Sequence, residues 1–313
     1  MMKLNKSFFA FIVLLIILVM FGIFLITKPI PKKDPIPKKE SIILRVEKPS
    51  TQKIRIHKDI TVENYFSFID SLVIKYDSVT PYQLTEHLLV RANPWIIDTL
   101  NNTDYYIQKA RDSFIYNQKK MIILNKGIDL IIPNLEQANE ILSSFKKTKI
   151  DVNIPEFKLR IYKDSTQLFS FLVRVGKDTK RFLKMSDRVQ DLKTITGKGT
   201  IVGYNRYPDY YNPVNSSRYF VTNRDDKRIT KLPQVPFIKT QINGVRNGQL
   251  IHATTNPNTL GKAYSNGCIG TEEGNVWVIY YYAPLGTKIT VRYDLTIKNK
   301  NDKDSLLINV YDF

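Results

Sequence analysis

The sequence predicts a mainly β fold for the second half of the chain, on the evidence of its periodicity and its turns. From residue 150 onward, short stretches alternate apolar and polar residues, as in 157–162 and 168–175. This period of two is typical of strands with one buried face. The polar turn Lys163-Asp164-Ser165 between these two stretches predicts that they pair. Further on, residues 273–282 predict one helix and residues 287–293 a closing strand.

Residues 53–134 predict a small α/β domain in front of the β-rich part. Residues 53–57 alternate as a strand does, and residues 62–75 have the apolar spacing of a helix. A second helical stretch covers residues 80–90, with Pro81 at an early helical position. Residues 121–133 predict two short strands about a Lys-Gly turn.

The N-terminal part predicts a membrane anchor over residues 7–27. Residues 8–26 form an apolar run without any charge, and roughly 20 such residues cross a bilayer. A cleaved signal has a shorter core and a small-residue cleavage site, and neither occurs here. Lysines after the run outnumber those before it, which leaves the orientation open by charge alone. Long soluble domains translocate against this bias, so we expect a single-pass protein of the cytoplasmic membrane with its bulk outside the cytoplasm, in the periplasm.

A Pro- and Lys-rich spacer over residues 28–52 follows the anchor. The pentapeptide Pro-Ile-Pro-Lys-Lys occurs twice within it, which favours an extended polyproline-II tether. The whole chain of 313 residues carries a formal net charge of +18. Nucleic acid, anionic lipid and an anionic wall polymer are the candidate partners for such a charge. No nucleic-acid motif or zinc-ligand spacing accompanies the lysines, so we expect no nucleic-acid binding, and a generally basic surface is the default interpretation.

A cysteine acyl-transfer site is indicated by the single cysteine of the chain, Cys268. An unpaired thiol is unusual in an exported protein, where cysteines generally form disulfides. His252, one of only 3 histidines, lies 16 positions upstream at the end of a predicted strand over residues 248–254. An imidazole in reach of a thiol takes its proton and later returns it to a leaving amine.

The residues around Cys268 also suit such a site. Gly267 permits close backbone approach, so the amides of Gly267 and Cys268 are candidate donors to an oxyanion. Asn266 adds a side-chain donor, and Ser265 is placed to hold the turn by a local hydrogen bond. The alternative is that Cys268 is a small buried apolar residue. His57 and His87 are interpreted as structural.

Two further segments have an open interpretation. Residues 204–236 form a long loop with five tyrosines, either a folded functional flap or simple packing. Residues 295–313 predict a polar tail that contains at most an edge strand.

Residues 150–294 resemble the catalytic domain of the L,D-transpeptidases, the YkuD type. The resemblance rests on His252-Ala253-Thr254 followed by Ser265-Asn266-Gly267-Cys268-Ile269, similar to the family's His-Gly-Thr and Ser-His-Gly-Cys. It implies a β-rich enzyme of peptidoglycan and cell wall biogenesis. Cys268 would attack the amide before the terminal D-alanine of a tetrapeptide stem. The resulting thioester would pass to an amine of a second stem as a 3–3 cross-link or to water, and a carbapenem would acylate the thiol.

A second resemblance concerns residues 53–134, which are similar to a LysM module, a binder of peptidoglycan glycan. It rests on the ending Lys126-Gly127 to Ile132-Pro133, with Asn93-Pro94 before it. A generic spacer domain is the alternative.

Two positions depart from the transpeptidase pattern. Asn266 stands where the family often has histidine, and Gly270 where it commonly has arginine or asparagine. The asparagine at position 266 can still donate a hydrogen bond, so this change affects the fine adjustment of the site more than its chemistry. The change at position 270 bears on substrate positioning. Three functions therefore stay open: an L,D-transpeptidase, a carboxypeptidase or other hydrolase on the same fold, and a catalytically silent wall-binding relative. The sequence does not indicate an oligomeric state.

Overall fold

The computed structural model describes residues 52–246, 248–298 and 304–311. The predicted anchor over residues 7–27 and all of the spacer up to residue 51 lie outside the described residues. Pro49–Phe313 form one compact unit, in which the α/β segment and the β-rich segment pack against each other. Within the described ranges, no helix has both the length and the apolar character needed to cross a membrane.

Six α-helices and 22 strands make up the described part of the chain. The helices are α1 (Val62–Asp77), α2 (Glu86–Arg91), α3 (Trp95–Asn101), α4 (Tyr105–Lys109), α5 (Leu135–Lys147) and α6 (Glu273–Tyr282). The strands are β1 (Gln52–Arg55), β2 (Ile60–Thr61), β3 (Ile122–Leu124), β4 (Asp129–Ile132), β5 (Thr148–Asn153), β6 (Lys158–Lys163), β7 (Thr166–Leu172), β8 (Val175–Gly176), β9 (Lys180–Leu183), β10 (Arg188–Asp191), β11 (Gly197–Asn205), β12 (Tyr210–Tyr211), β13 (Arg218–Tyr219), β14 (Val221–Asn223), β15 (Ile229–Lys231), β16 (Phe237–Ile242), β17 (Leu250–Ala253), β18 (Ala263–Ser265), β19 (Ile269–Thr271), β20 (Lys288–Arg292), β21 (Thr296–Lys298) and β22 (Asp304–Leu306).

An eight-stranded sheet organises the β-rich part, in the order β19-β17-β16-β11-β20-β5-β6-β7. The pairs β17–β19 and β20–β5 are parallel, and the other neighbours are antiparallel. Arg174, two residues beyond β7, forms an antiparallel bridge with Gly270 of β19. The two edges of the sheet are thereby joined, and residues far apart in the sequence meet at β19.

Helix α6 is the buried centre against which the α/β segment packs. The helix is apolar on all sides, and Trp277, Tyr280 and Tyr281 are at most 1% exposed. It contacts α2 and α3 on one side and β17 on the other. The hydroxyls of Tyr65 and Tyr281 share a hydrogen bond of 2.7 Å. An all-round apolar helix requires burial on every face, and the α/β segment supplies part of that cover.

The prediction of a helix over residues 80–90 is wrong for its first half, because the observed helix α2 begins only at Glu86. Its N-terminus is set at Thr85, whose hydroxyl accepts a hydrogen bond from the amide of Leu88 at 3.2 Å. Before it, the amide of Leu84 donates to Asp77 Oδ1 at 2.7 Å, and the Thr80 hydroxyl lies 2.8 Å from the carbonyl of Tyr82. These side-chain bonds hold residues 78–84 as a turn and compete with helix formation.

Helix α5 and the start of the sheet at β5 fall in residues 135–149, which the sequence interpretation left unassigned. A capping box begins α5: Asn134 Oδ1 accepts from the amide of Gln137, and Gln137 Oε1 accepts from the amide of Asn134. The two strands predicted in 121–133 are present as β3 and β4. Each pairs with an earlier strand, β3 with β2 and β4 with β1.

The long loop over residues 204–236 contains two short hairpins, β12–β13 and β14–β15. Arg224 ties this segment to the core through a wholly buried ion pair with Glu273 of α6. Its other guanidinium nitrogen donates to Gln118 Oε1 at 2.9 Å. The segment is therefore folded, whereas its role as a functional flap stays a prediction.

Candidate active site

The strand register places His252 and Cys268 on the same face of the sheet. His252 of β17 is the direct partner of Gly270 in β19, and Ile251 is the partner of Ile269. Cys268 lies directly before β19 and two residues before Gly270, and along a strand continued by that one residue, side chains two apart share a face. From a strand spacing of about 4.8 Å and a rise of about 3.3 Å per residue, the Cα atoms of Cys268 and His252 lie roughly 8 Å apart. The sequence prediction that neighbouring strands bring the two residues together agrees with this register.

The imidazole of His252 is held in one tautomer. Its Nδ1 lies 2.8 Å from the carbonyl oxygen of Ala253, so Nδ1 carries the proton and donates it. Nε2 is then the free acceptor, with no hydrogen-bond partner among the described residues. Burial, together with the nearby Arg174 charge, lowers the pKa of His252 to about 4. The imidazole is therefore neutral at neutral pH and has an unprotonated nitrogen available as a base.

Cys268 is a half-buried free thiol. Burial raises the pKa of the Cys268 thiol above its usual value, while the Leu250 backbone and the Arg174 charge oppose that rise. The shifts of Cys268 and His252 both favour uncharged forms. The resting site thus contains a thiol and a neutral imidazole, and the imidazole takes the thiol proton during the attack.

The loop before Cys268 is fixed by hydrogen bonds to its carbonyls. The Ser265 hydroxyl donates to the carbonyl of Cys268 at 2.5 Å, as predicted for a residue that holds the turn. The Thr194 hydroxyl donates to the carbonyl of Gly267 at 3.1 Å and accepts from the amide of Gly176 at 2.8 Å. In the described part of the chain, the amides of Gly267 and Cys268 donate to no acceptor.

Gly267 has a φ of +104°, a conformation that a residue with a side chain rarely adopts. This backbone geometry explains the glycine beside Cys268. Asn266 is half-buried beside it, and none of the described hydrogen bonds involves its side chain.

Three residues at this site were missed by the sequence interpretation: Arg174, Thr194 and Tyr311. The Tyr311 hydroxyl donates to the carbonyl of Gly176 at 2.6 Å and accepts from the amide of Thr194 at 3.0 Å. The C-terminal segment, predicted as a polar tail, thus places a fully buried tyrosine behind the Cys268 loop. No local pattern marks these residues, because the sheet closure and the tail bring them in from distant positions.

Comparison with known families identifies the β-rich segment. Residues 147–291 match the family model of the YkuD L,D-transpeptidase catalytic domain. This confirms the resemblance predicted from the sequence. The β-rich domain is therefore of the L,D-transpeptidase type. The LysM-like assignment of residues 53–134 and the domain boundaries stay predictions.

Solved structures and curated proteins were compared as well. An L,D-transpeptidase from Mycobacterium smegmatis is 16% identical over 47% of this chain and 58% of its own, with a TM-score of 0.32. A mutant L,D-transpeptidase from Enterococcus faecium is 16% identical over 47% and 50%, with a TM-score of 0.33. One from Xylanimonas cellulosilytica is 12% identical over 79% and 100%, with a TM-score of 0.32. The chain thus spans less than two thirds of the first two relatives. No curated protein matches the sequence.

Proposed function

We propose that the protein is a cysteine-dependent L,D-transpeptidase that acts on peptidoglycan stem peptides, with Cys268 as nucleophile and His252 as general base. The observation that carries this proposal is the pairing of His252 with Gly270. Within a segment that matches the L,D-transpeptidase family model, this pairing supports an approach of the neutral imidazole, with its free Nε2, to the chain's one thiol. Neither a hydrolase nor a silent relative is favoured by any separate observation.

In the first half-reaction, Nε2 of His252 takes the thiol proton as Sγ of Cys268 attacks the carbonyl carbon of the donor amide. That amide joins the L-centre of the diamino acid to the terminal D-alanine. The negative charge on the carbonyl oxygen is stabilised by the unoccupied amides of Gly267 and Cys268. The C–N bond then breaks, the imidazolium protonates the leaving amine, and a thioester remains on Cys268.

In the second half-reaction, an amine of another stem attacks the thioester carbonyl. His252 accepts the proton of that amine, the C–S bond breaks, and the sulfur leaves as the thiol after it receives the proton. The product is a 3–3 cross-link. Water in place of the amine gives the carboxypeptidase reaction by the same steps. The chemistry requires no metal or organic cofactor.

The site residues differ in what they contribute. The bond from His252 Nδ1 to the Ala253 carbonyl orients the ring, in the position that a carboxylate occupies in many catalytic triads. Ser265 and Thr194 act on the carbonyls of Cys268 and Gly267 and so orient the peptide units that carry the donor amides. Asn266 is proposed as a substrate-positioning donor.

The location of the enzyme is part of the proposal. Stem peptides lie outside the cytoplasmic membrane, so the catalytic domain is placed there by the anchor over residues 7–27 and the spacer over residues 28–52. Protease treatment of intact spheroplasts tests this orientation. Loss of the domain from outside supports it, and protection until the membrane is lysed contradicts it.

The decisive experiment is the intact mass of the full-length protein in detergent after incubation with a carbapenem, beside Cys268→Ala. We expect one covalent adduct on the native chain and none on the variant, whose folding circular dichroism checks. Incubation with tetrapeptide muropeptides then separates cross-linked dimers from trimmed tripeptides. A folded, reduced native protein that forms no adduct contradicts the proposed function and favours the silent relative.

A further inference from the structure

Arg174 reaches the candidate site from the opposite edge of the sheet. Its amide donates to the carbonyl of Gly270 at 2.8 Å, and the amide of Gly270 donates to the carbonyl of Arg174 at 3.0 Å. Directly opposed residues of an antiparallel pair present their side chains on the same face. Because Gly270 is also the partner of His252, Arg174 shares the face that carries His252 and Cys268.

The side chain of Arg174 occupies the space that a side chain at position 270 would need. A Cβ atom on Gly270 would lie 2.6 Å from Nε of Arg174, 2.9 Å from its Cγ and 3.2 Å from its Cδ. Gly270 is not among the described residues with positive φ, so its backbone conformation does not demand glycine. The glycine is explained by the arginine that lies over it.

Among the described residues, the guanidinium of Arg174 has no anionic partner. Its Nη1 donates to the Thr259 hydroxyl at 3.2 Å, and its buried Nε finds no hydrogen-bond acceptor in the same set of residues. In the described part of the chain, no carboxylate lies within ion-pair distance of it, whereas Arg160, Arg224 and Arg292 each pair with one. A desolvated, unpaired cation is costly, and an anion formed beside it offsets that cost.

The charged and titratable groups around the thiol are few. Arg174 enters from the segment after β7, His252 from β17 and Tyr264 from β18. Lys193, whose backbone carbonyl lies near Gly267, forms an ion pair with Asp178 at 3.0 Å. Since His252 is neutral at neutral pH, the guanidinium of Arg174 supplies the positive charge beside Cys268 before reaction.

We propose that Arg174 stabilises the thiolate of Cys268, from the space left by Gly270, as a positioning residue for the nucleophile. The inference rests on the proposed function for its biological meaning, but the thiol itself is measurable without any substrate. The Arg174 charge acts to lower the pKa of Cys268, and a nearby opposite charge typically lowers a pKa by about 1–3 units. Loss of Arg174 therefore raises the pKa of the Cys268 thiol and slows its alkylation at neutral pH about tenfold or more.

The test is the pH dependence of alkylation by iodoacetamide, followed by intact mass on the full-length protein. The thiolate sulfur displaces iodide and forms a C–S bond, so the rate follows the thiolate fraction. Because the chain has one cysteine, each adduct reports on Cys268. We compare native protein, Arg174→Met, Arg174→Lys and Arg91→Met. Arg91 is the matched control, since its guanidinium also lacks a carboxylate partner in the described region but stacks on Tyr282, 3.6 Å from the ring centroid.

We expect the alkylation profile of Arg174→Met to move to higher pH by about one unit or more, while Arg174→Lys stays closer to native and Arg91→Met is unchanged. An unshifted profile in a folded Arg174→Met overturns the proposal, as does an equal shift in Arg91→Met. Should Arg174→Met fail to fold, Arg174→Lys is the deciding variant. An alkylation profile of Arg174→Lys that lies at the pH of a free, unperturbed thiol overturns the proposal. Failure of the proposed function is a different result, namely no carbapenem adduct on the native protein.

Discussion

Acidification is expected to destabilise the protein through His87, which is half-buried against α6. Its Nε2 lies 2.9 Å from the carbonyl of Tyr280, so it donates as a neutral imidazole, and its ring stacks on Tyr204 with centroids 5.4 Å apart. Burial lowers the pKa of His87 to about 4 from its usual 6.5, and the charges of Arg206 and Arg91 act in the same direction. Protonation is therefore easier in the unfolded chain.

The sign and size of the effect follow from linkage. Between pH 6.5 and pH 4 the unfolded chain binds more protons at His87 than the folded protein, so the free energy of unfolding falls as the pH falls through this window. The full shift corresponds to about 3 kcal/mol, of which about 2 kcal/mol is lost by pH 5. Above pH 6.5 the contribution of His87 is constant.

The assay is urea unfolding, followed by tryptophan fluorescence, at pH 7.5, 6 and 5 for native protein, His87→Gln and His57→Gln. Glutamine keeps a donor for the Tyr280 carbonyl and does not titrate. We expect the loss of stability between pH 7.5 and 5 to be about 2 kcal/mol smaller in His87→Gln than in native protein. His57→Gln, a change at an exposed histidine, should track the native protein. An identical pH dependence in native protein and His87→Gln would refute the reasoning.

Two further substitutions test contacts that support the site. Tyr311→Phe leaves the amide of Thr194 and the carbonyl of Gly176 without their buried partner. We expect a loss of about 1–3 kcal/mol of unfolding free energy and slower carbapenem acylation. If neither the unfolding free energy nor the acylation rate changes, the C-terminal segment does not support the Cys268 loop. Arg224→Met strands the carboxylate of Glu273 in the core, with an expected cost of about 3–5 kcal/mol in urea unfolding. The same change in a Glu273→Gln background should cost much less, and equal costs in both backgrounds would contradict an ion-pair role.

Local sequence patterns were sufficient to predict those elements whose formation depends on nearby residues. Helix α6 occupies the predicted residues 273–282, because its apolar run ends at the Pro284 turn. The hairpin β6–β7 forms about the predicted polar turn. The approach of His252 to Cys268 also follows from local information. His252 lies in β17 and Cys268 directly precedes β19, and these two short strands are close in sequence and pair with each other.

Other features depend on contacts that no local pattern encodes. The N-terminus of α2 is decided by competing hydrogen bonds from Asp77 and Thr85. The strands β3 and β4 pair with β2 and β1, which lie at the beginning of the α/β segment. Tyr311 is buried behind the site, although it lies in the segment predicted as a polar tail. In each case a tertiary contact overrides a reasonable local preference.

Gly270 shows how a departure from a family pattern acquires a physical meaning once the fold is known. In sequence it is a missing side chain near the nucleophile, which is compatible with an inactive relative. In the structure, the bridge between Arg174 and Gly270 closes the sheet, and the arginine side chain fills the volume over the glycine. A side chain at position 270 and this conformation of Arg174 exclude each other sterically. The glycine is therefore consistent with a functional site in which the positive charge enters from the other edge of the sheet, and the alkylation profile of Arg174→Met decides whether that charge acts on the thiol.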